Sequence, residues 1–277
     1  LCAMADDSHI SSLRNPRVKT AVKLRQRSHR DKLGRILIEG YREIRRALDN
    51  DHPVEELFYC PDWFQGENNE VLLNDCRSRH ARLLHCRSEV FEKMSYRDRP
   101  DGLIAVGAPV GTRIDDLSLP PAPLVVVAEA IEKPGNLGTI LRSADAAGVN
   151  AVMVCDRCTD VGNPNVVRAS VGTLFSLPVV EASSEQTLAW LKKHGIRIVS
   201  STPHTKPLYT EVDMTGPVAV VVGTEQYGLS APWREQADIE VRIPMLGQAD
   251  SLNVASATTL LLFEAVQQQA SDIHIQP

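Results

Sequence analysis

From residue 124 to residue 243 the chain repeats one pattern that few folds can satisfy. Short runs, largely apolar on both faces, are separated from one another by helical stretches. The strand candidates are residues 124–128, 151–155, 177–180, 197–201, 219–222 and 239–243. Helical periodicity falls at 138–147, 166–174, 185–194 and 229–236, with a last helix over 251–268. A strand apolar on both sides must be covered on both sides, and strands joined by helical crossovers run parallel. The pattern predicts an α/β domain over residues 124–270, a parallel sheet with helices on each face.

The preceding residues alternate as well. Asn15-Pro16 opens a segment in which Val18, Ala21, Val22, Leu24 and Arg25 recur with helical spacing, while Arg and Lys fill much of the opposite face. Strands are expected at 36–38, 54–59, 81–84 and 102–106, with helices through 47–48, over 71–79 and around 89–94. This is a smaller α/β layer spanning residues 11–107. Residues 108–123 hold Pro120, Pro121 and Pro123 and little apolar periodicity, which predicts an interdomain linker.

Composition narrows the class. At 277 residues the chain has room for two domains, and 43% hydrophobic with 23% charged residues is the balance of a soluble globular protein. Runs such as 124–128 and 218–222 are far shorter than the ~20 residues that span a bilayer, so no membrane segment is expected. The first residues, Leu1-Cys2-Ala3-Met4-Ala5-Asp6-Asp7, lack the basic and apolar regions of a secretory signal. Six cysteines, at 2, 60, 76, 86, 155 and 158, are too sparse for a disulfide framework. Cys155-Asp156-Arg157-Cys158 has redox or zinc spacing, but no second pair follows it. Cys155 closes an apolar run, so a buried strand end is expected there and no metal. These features together point to a reducing, cytoplasmic setting. The net charge of −5 is unevenly spread: residues 11–46 carry twelve Lys/Arg against three Asp/Glu, whereas residues 47–277 sum to −12. The basic segment is the expected contact for a polyanion, although a solvated basic helix has the same composition.

Three short segments lie where a parallel sheet binds ligands, beyond the carboxyl ends of its strands. The first is Asn136-Leu137-Gly138-Thr139-Ile140-Leu141-Arg142-Ser143-Ala144. Residues 135–138 are expected to form a turn, with the helix starting near Gly138 and Arg142 one turn into it. The macrodipole opposes an Arg near a helix N-terminus, so stability alone does not favour it there. Its planar fork of donors suits a phosphate and a nearby ribose; taken alone it reads as an ordinary surface Arg. The second segment, Gly223-Thr224-Glu225-Gln226-Tyr227-Gly228, begins where the 219–222 run ends. Gly223 lets backbone approach a ligand closely, and Glu225 reads either as a site acid or as a first-turn helix acid. The third runs from Ile243-Pro244-Met245-Leu246-Gly247 to Asp250-Ser251-Leu252-Asn253-Val254-Ala255. Ser251 is the expected N-cap of the last helix.

In this order, each between an apolar run and a helical pattern, the three segments resemble the signature motifs of the SpoU (TrmH-like) RNA ribose methyltransferases. That family methylates a ribose 2′-hydroxyl with S-adenosylmethionine as consumed donor and uses no metal. The resemblance implies a SPOUT-type domain whose loops form a deep trefoil knot. It assigns Arg142 as the catalytic arginine, with Asn136, Glu225, Ser251 and Asn253 as further site residues. It gives Gly223, Ile243 and Leu252 the cofactor-contact positions, joined by Thr202, Met245 and Ser251. Arg168-Ala169-Ser170-Val171-Gly172 resembles the family's intervening segment, with packing ranked ahead of an RNA contact. At the front, Asn15-Pro16-Arg17-Val18-Lys19, Ile38-Glu39-Gly40-Tyr41-Arg42-Glu43 and Pro100-Asp101-Gly102-Leu103-Ile104-Ala105-Val106 are similar to the RNA-binding substrate domain with a fold like ribosomal protein L30e. Methyl transfer from a sulfonium to a hydroxyl is an in-line displacement: the protein binds the donor, aligns the hydroxyl and helps remove its proton. A guanidinium, with a pKa above about 12, is ill suited to be the base. Arg142 is therefore expected to orient the hydroxyl and a neighbouring phosphate.

The front domain favours ribosomal RNA, large-subunit RNA first, over transfer RNA. A tRNA ribose methyltransferase and an antibiotic-resistance rRNA methyltransferase are the alternatives. A nucleotide-binding oxidoreductase lacks its Gly-x-Gly-x-x-Gly, and a non-catalytic RNA-binding protein would not need Arg142, Glu225 and Asn253 together. On the last helix, Val254, Ala257, Thr258, Leu261, Leu262, Ala265 and Val266 form an apolar stripe that Leu260 and Phe263 widen. Relatives in the family pair through helices beside the knot, which implies a homodimer through the catalytic domain.

Overall fold

A computed structural model describes residues 8–224 and 227–270. The chain forms two compact bodies, one holding the residues up to Val110 with Asp160–Ser176, the other Gly111–Thr159 with Leu177 onward.

The first body runs β1 (Ser8–Ile10), α1 (Pro16–Lys23), α2 (Arg27–Leu33), β2 (Ile36–Glu39), α3 (Tyr41–Asp49), β3 (Val54–Tyr59), α4 (Asn69–Ser78), β4 (Arg82–Cys86), α5 (Ser88–Met94) and β5 (Leu103–Gly107). Its sheet has the order β1-β4-β3-β5-β2. β1, β4 and β3 are parallel, and β5 runs antiparallel to β3 and β2. The basic segment is broken into two helices. Asn15 caps α1 through the Arg17 amide, Pro16 presets its first turn, and the second helix ends at left-handed Gly34. Ile10, Leu24, Phe58, Leu84 and Phe91 fill one core under the sheet. Strand β1 was not expected: only Ile10 of its three residues is buried, so it leaves no periodicity to read.

The second body follows with β6 (Leu124–Glu129), α6 (Pro134–Ala146) and β7 (Ala151–Cys155). After α7 (Pro164–Ser170), which belongs to the first body, come β8 (Val179–Ala182), α8 (Ser184–Lys193), β9 (Arg197–Ser201), β10 (Val218–Val222), α9 (Ala231–Glu235), β11 (Ile239–Val241) and α10 (Val254–Gln269). The sheet order is β11-β9-β10-β6-β7-β8, and every pair is parallel. All six residues of β6 are buried, as a central parallel strand requires. Met153, Trp233, Val221 and Leu191 pack on one face. The proline-rich stretch contributes to this body, because Ile114, Leu117 and Leu119 pack against that core. Cys155 closes β7 inside the core, and burial pushes its thiol up to about 12.

The segment Asp160–Ser176 is held in the first body by a buried bidentate ion pair. Arg30 Nε donates to Asp160 Oδ1 at 3.0 Å and its terminal nitrogen to Oδ2 at 2.6 Å. Within the 168–172 segment Ser170 and Gly172 are buried, whereas Arg168 is exposed. At Gly172, with φ of +80°, an added Cβ would lie 2.9 Å from the Cα of Glu43.

Candidate functional site

The second body carries a cavity of about 590 Å³ at the carboxyl ends of its strands. Ser201, Thr202, Pro203 and His204 reach it from the end of β9, and Val222, Gly223 and Thr224 from the end of β10. Ile243 and Met245 follow β11, Asp250, Ser251 and Leu252 precede α10, and α10 adds Val254 and Ala257. Parallel strands put these chain ends side by side, since each strand must be left by a loop at the same edge of the sheet.

All six residues assigned to the cofactor, Thr202, Gly223, Ile243, Met245, Ser251 and Leu252, line this one cavity. They come from three loops that are tens of residues apart in sequence. Thr202 is buried and its amide donates to the Val241 carbonyl at 2.9 Å, which ties the β9 and β11 loops together. Gly223 is also required by the fold of its own loop. A Cβ there would meet the Gly228 carbonyl oxygen at 2.5 Å and the Leu229 nitrogen at 2.9 Å, both backbone atoms. The loop folds back on Gly223: the Gly228 amide donates to the Thr224 carbonyl at 3.0 Å, and the Tyr227 amide to Thr224 Oγ1 at 3.0 Å. Glu225 lies outside the described residues, as does Cys2.

The first motif differs from expectation. Residues 135–138 are the first turn of α6, not a loop, because Pro134 at the start of the helix presets its backbone. Arg142 is therefore eight residues into a helix that ends at Ala146, so the macrodipole argument against it does not apply. It is exposed, makes no ion pair among the described residues and does not line the cavity. Asn136 is brought to Asn253: the Asn253 Nδ2 donates to Asn136 Oδ1 at 3.0 Å. Asn253, not Ser251, caps α10, its side chain accepting from the Ala255 amide at 3.0 Å. Ser251 is left exposed and free of the helix. Farther along the same two helices, Ser143 Oγ and Thr259 Oγ1 are 2.7 Å apart, which fixes α6 against α10.

Sequence reasoning did not find Glu129. This buried acid ends β6 and accepts from the Ser230 amide at 2.9 Å, anchoring the loop that closes on Gly223. It also missed the cavity residues His204 and Arg234, which belong to no short motif, and gave no role to Asp250, which stands in the third. Among the described residues, the cavity combines apolar walls (Val222, Leu229, Ile243, Leu252) with hydroxyls (Ser201, Thr202, Ser251), the acid Asp250 and the bases His204 and Arg234. Its size is that of a small-molecule site. Its mixture suits a ligand with an aromatic base, a ribose and an amino-acid end bearing both charges.

Residues 123–263 match the profile of the SpoU rRNA Methylase family, and residues 15–105 that of the MRM3-like substrate binding domain. The chain is 33% identical to the 23S rRNA (uridine(2479)-2′-O)-methyltransferase of Streptomyces viridochromogenes, over 90% of this chain and 88% of that one. It is 30% identical to the 23S rRNA (guanosine(2553)-2′-O)-methyltransferase of Bacillus subtilis, over 92% and 97%. Its fold is similar to that of an AdoMet-bound rRNA methyltransferase from Sinorhizobium meliloti, with a TM-score of 0.87 and 30% identity over 95% of this chain and 99% of that one.

Proposed function

The chain belongs to the SpoU rRNA methylase family, and from that premise we propose that it transfers the methyl group of S-adenosylmethionine to a ribose 2′-hydroxyl of large-subunit ribosomal RNA. The observation that carries this reading is the single cavity lined by Thr202, Gly223, Ile243, Met245, Ser251 and Leu252. Those residues would hold the cofactor, with Asp250 and Arg234 of opposite charge to its ammonium and carboxylate ends. When bound, the cofactor supplies an electrophilic methyl on a sulfonium. The chain's own contribution is alignment. Arg142 orients the 2′-hydroxyl and the adjoining phosphate, with Asn136 and Asn253, joined to each other, beside the cofactor loops. The family's trefoil threading of these loops is part of the same reading, as is work in the cytoplasm. Among the described residues no helix is long and apolar enough to cross a membrane.

Within this reading, residues 11–107 are the RNA-binding domain and residues 124–270 the catalytic one. The basic segment has fewer available charges than its composition gives. Arg17 pairs with Glu56, Arg30 with Asp160, Arg35 with Glu55, and Arg45 with Asp49 and Asp75. Arg14, Lys19, Lys23, Lys32 and Arg42 are exposed and make no ion pair among the described residues, which leaves them able to meet phosphate.

The test is direct. Purified protein with methyl-labelled S-adenosylmethionine is expected to place one ribose methyl on large-subunit rRNA from cells that lack the gene. Label on transfer RNA alone, or on no RNA, would overturn the reading.

The reading includes a homodimer through the catalytic domain. Val254, Thr258, Leu261, Leu262 and Ala265 are consumed by the chain's own core. On the other side of α10, Leu260 and Phe263 stay 41% and 46% exposed, a width of apolar surface that a lone helix face does not need. The full chain is expected to sediment at twice its 30.5 kDa at micromolar concentration, and Leu260→Glu with Phe263→Glu to shift it to the monomer. A wild-type protein that is monomeric and fully active in the centrifuge refutes the dimer.

A further inference from the structure

Tyr96 is an aromatic ring held in solvent. It lies in the loop after α5 and is 42% exposed, yet three neighbours fix it. The guanidinium of Arg25 sits 5.5 Å from its ring centroid. Asn165 Nδ2, from α7, donates to its hydroxyl at 3.2 Å. Its amide donates to Glu39 Oε2 at 2.8 Å, and Ser95 Oγ donates to the other oxygen of the same carboxylate at 2.6 Å. Arg25 is itself immobilised, giving hydrogen bonds to the carbonyls of Lys93 at 2.9 Å and Ser95 at 2.7 Å. All of these residues belong to the first body.

The arrangement is costly as packing. An exposed tyrosine gains little from burial, and neither its cation nor its amide partner is needed to fill a core. It makes sense as a preorganised surface. A cation over a ring strengthens its hold on a second flat π-system, and a ring with its rotamer already fixed loses little entropy when one arrives. The surroundings choose the partner. Arg168 lies three residues after Asn165 on α7, hence on the same side of the helix, and is exposed, with no ion pair among the described residues. Arg99, in the Tyr96 loop, is exposed and likewise makes no ion pair among the described residues. A flat ring with exposed arginines on its own loop and on α7 fits an unpaired nucleotide, the base on the ring and the phosphates on the arginines.

We propose that Tyr96, held by Arg25 and Asn165, is a stacking platform for an unpaired RNA base, with Arg168 as its phosphate contact. The proposal rests on RNA being the substrate and deepens that reading: the recognised RNA has a single-stranded nucleotide within reach of the first body. It also gives α7, which lies in sequence between β7 and β8 but belongs to the first body, a role in binding besides packing.

The test uses the full chain, labelled decaadenylate and a ten-base-pair RNA duplex, with affinity read by fluorescence anisotropy at fixed low salt. Tyr96→Ala should weaken decaadenylate binding about tenfold, the loss of one stacked base, and leave the duplex unchanged. Tyr96→Trp should keep the affinity, and its emission should be quenched as the strand is added. Arg168→Gln should weaken both RNAs and flatten the salt dependence by about one counterion. The platform is overturned if Tyr96→Ala binds decaadenylate as the wild type does, if it loses equally on the duplex, or if the wild type does not bind decaadenylate. A wild type that shows the Tyr96 dependence but methylates no ribosomal RNA supports the platform and strikes only the catalytic reading.

Discussion

Arg142→Ala is expected to lower methyl transfer to ribosomal RNA by at least about 10²–10³-fold, the loss seen when one preorganised donor is removed from a reacting centre. S-adenosylmethionine affinity should stay within a few-fold. The separation follows from position. Arg142 does not line the cavity that Thr202, Gly223 and Ser251 share, and among the described residues it makes no ion pair. Its side chain is exposed on α6, the helix whose first turn carries Asn136, and Asn136 is tied to Asn253 at the head of α10. The guanidinium therefore has a rigid base and an open fork, which suits a bidentate hold on phosphate and hydroxyl oxygens. Arg142→Lys tests the fork against the charge: a point charge should restore only part of the rate, because one ammonium cannot replace two parallel donors. Calorimetric titration of the cofactor and single-turnover methylation would separate binding from chemistry. Near-normal turnover in Arg142→Ala, or a collapse of cofactor affinity, would remove Arg142 from this role.

The parallel sheet was legible because its strands leave a plain signature. Runs such as 124–128 and 151–155 are apolar on both faces, and a buried parallel strand has no other way to be stable. The three loops of the site were legible through motif resemblance, since their residues cluster in short stretches. What escaped notice lacked local signal. Glu129 is one acid at the end of an apolar run, and only the fold brings it to the Ser230 amide. A second reason for Gly223 was not legible, because a glycine in sequence does not say that its own chain also folds back on it. The cap of α10 is Asn253 where Ser251 was expected, both being residue types that cap well, so sequence alone did not separate them. Local charge gave an incomplete count. A run of twelve cations in residues 11–46 says nothing of how many meet acids far away in sequence, as Arg17 meets Glu56 and Arg30 meets Asp160.

That last pair should dominate the stability of the first body. Arg30 and Asp160 have side chains only 4% and 9% exposed, so each charge is tolerable only because the other is there. Asp160→Ala would leave a guanidinium buried with two of its donors orphaned and should cost about 3–5 kcal/mol. Arg30→Met should cost as much, because it strands the carboxylate and also the carbonyls of Leu24 and Arg25, which Arg30 now satisfies at 2.9 Å and 2.8 Å. The double variant Arg30→Met with Asp160→Leu removes both charges together. It should be less destabilised than the sum of the singles by roughly 2 kcal/mol or more, since what each single change costs is mainly the charge left behind. Chemical denaturation of the full chain, followed by the fluorescence of Trp63 in the first body, reads all four proteins of the cycle. The ion pair also ties Asp160–Ser176 to α2, so the singles should loosen α7 and expose its amides to hydrogen exchange before the rest of the body opens. Strictly additive single effects, or unchanged exchange in α7, would show that the pair neither couples nor anchors this segment.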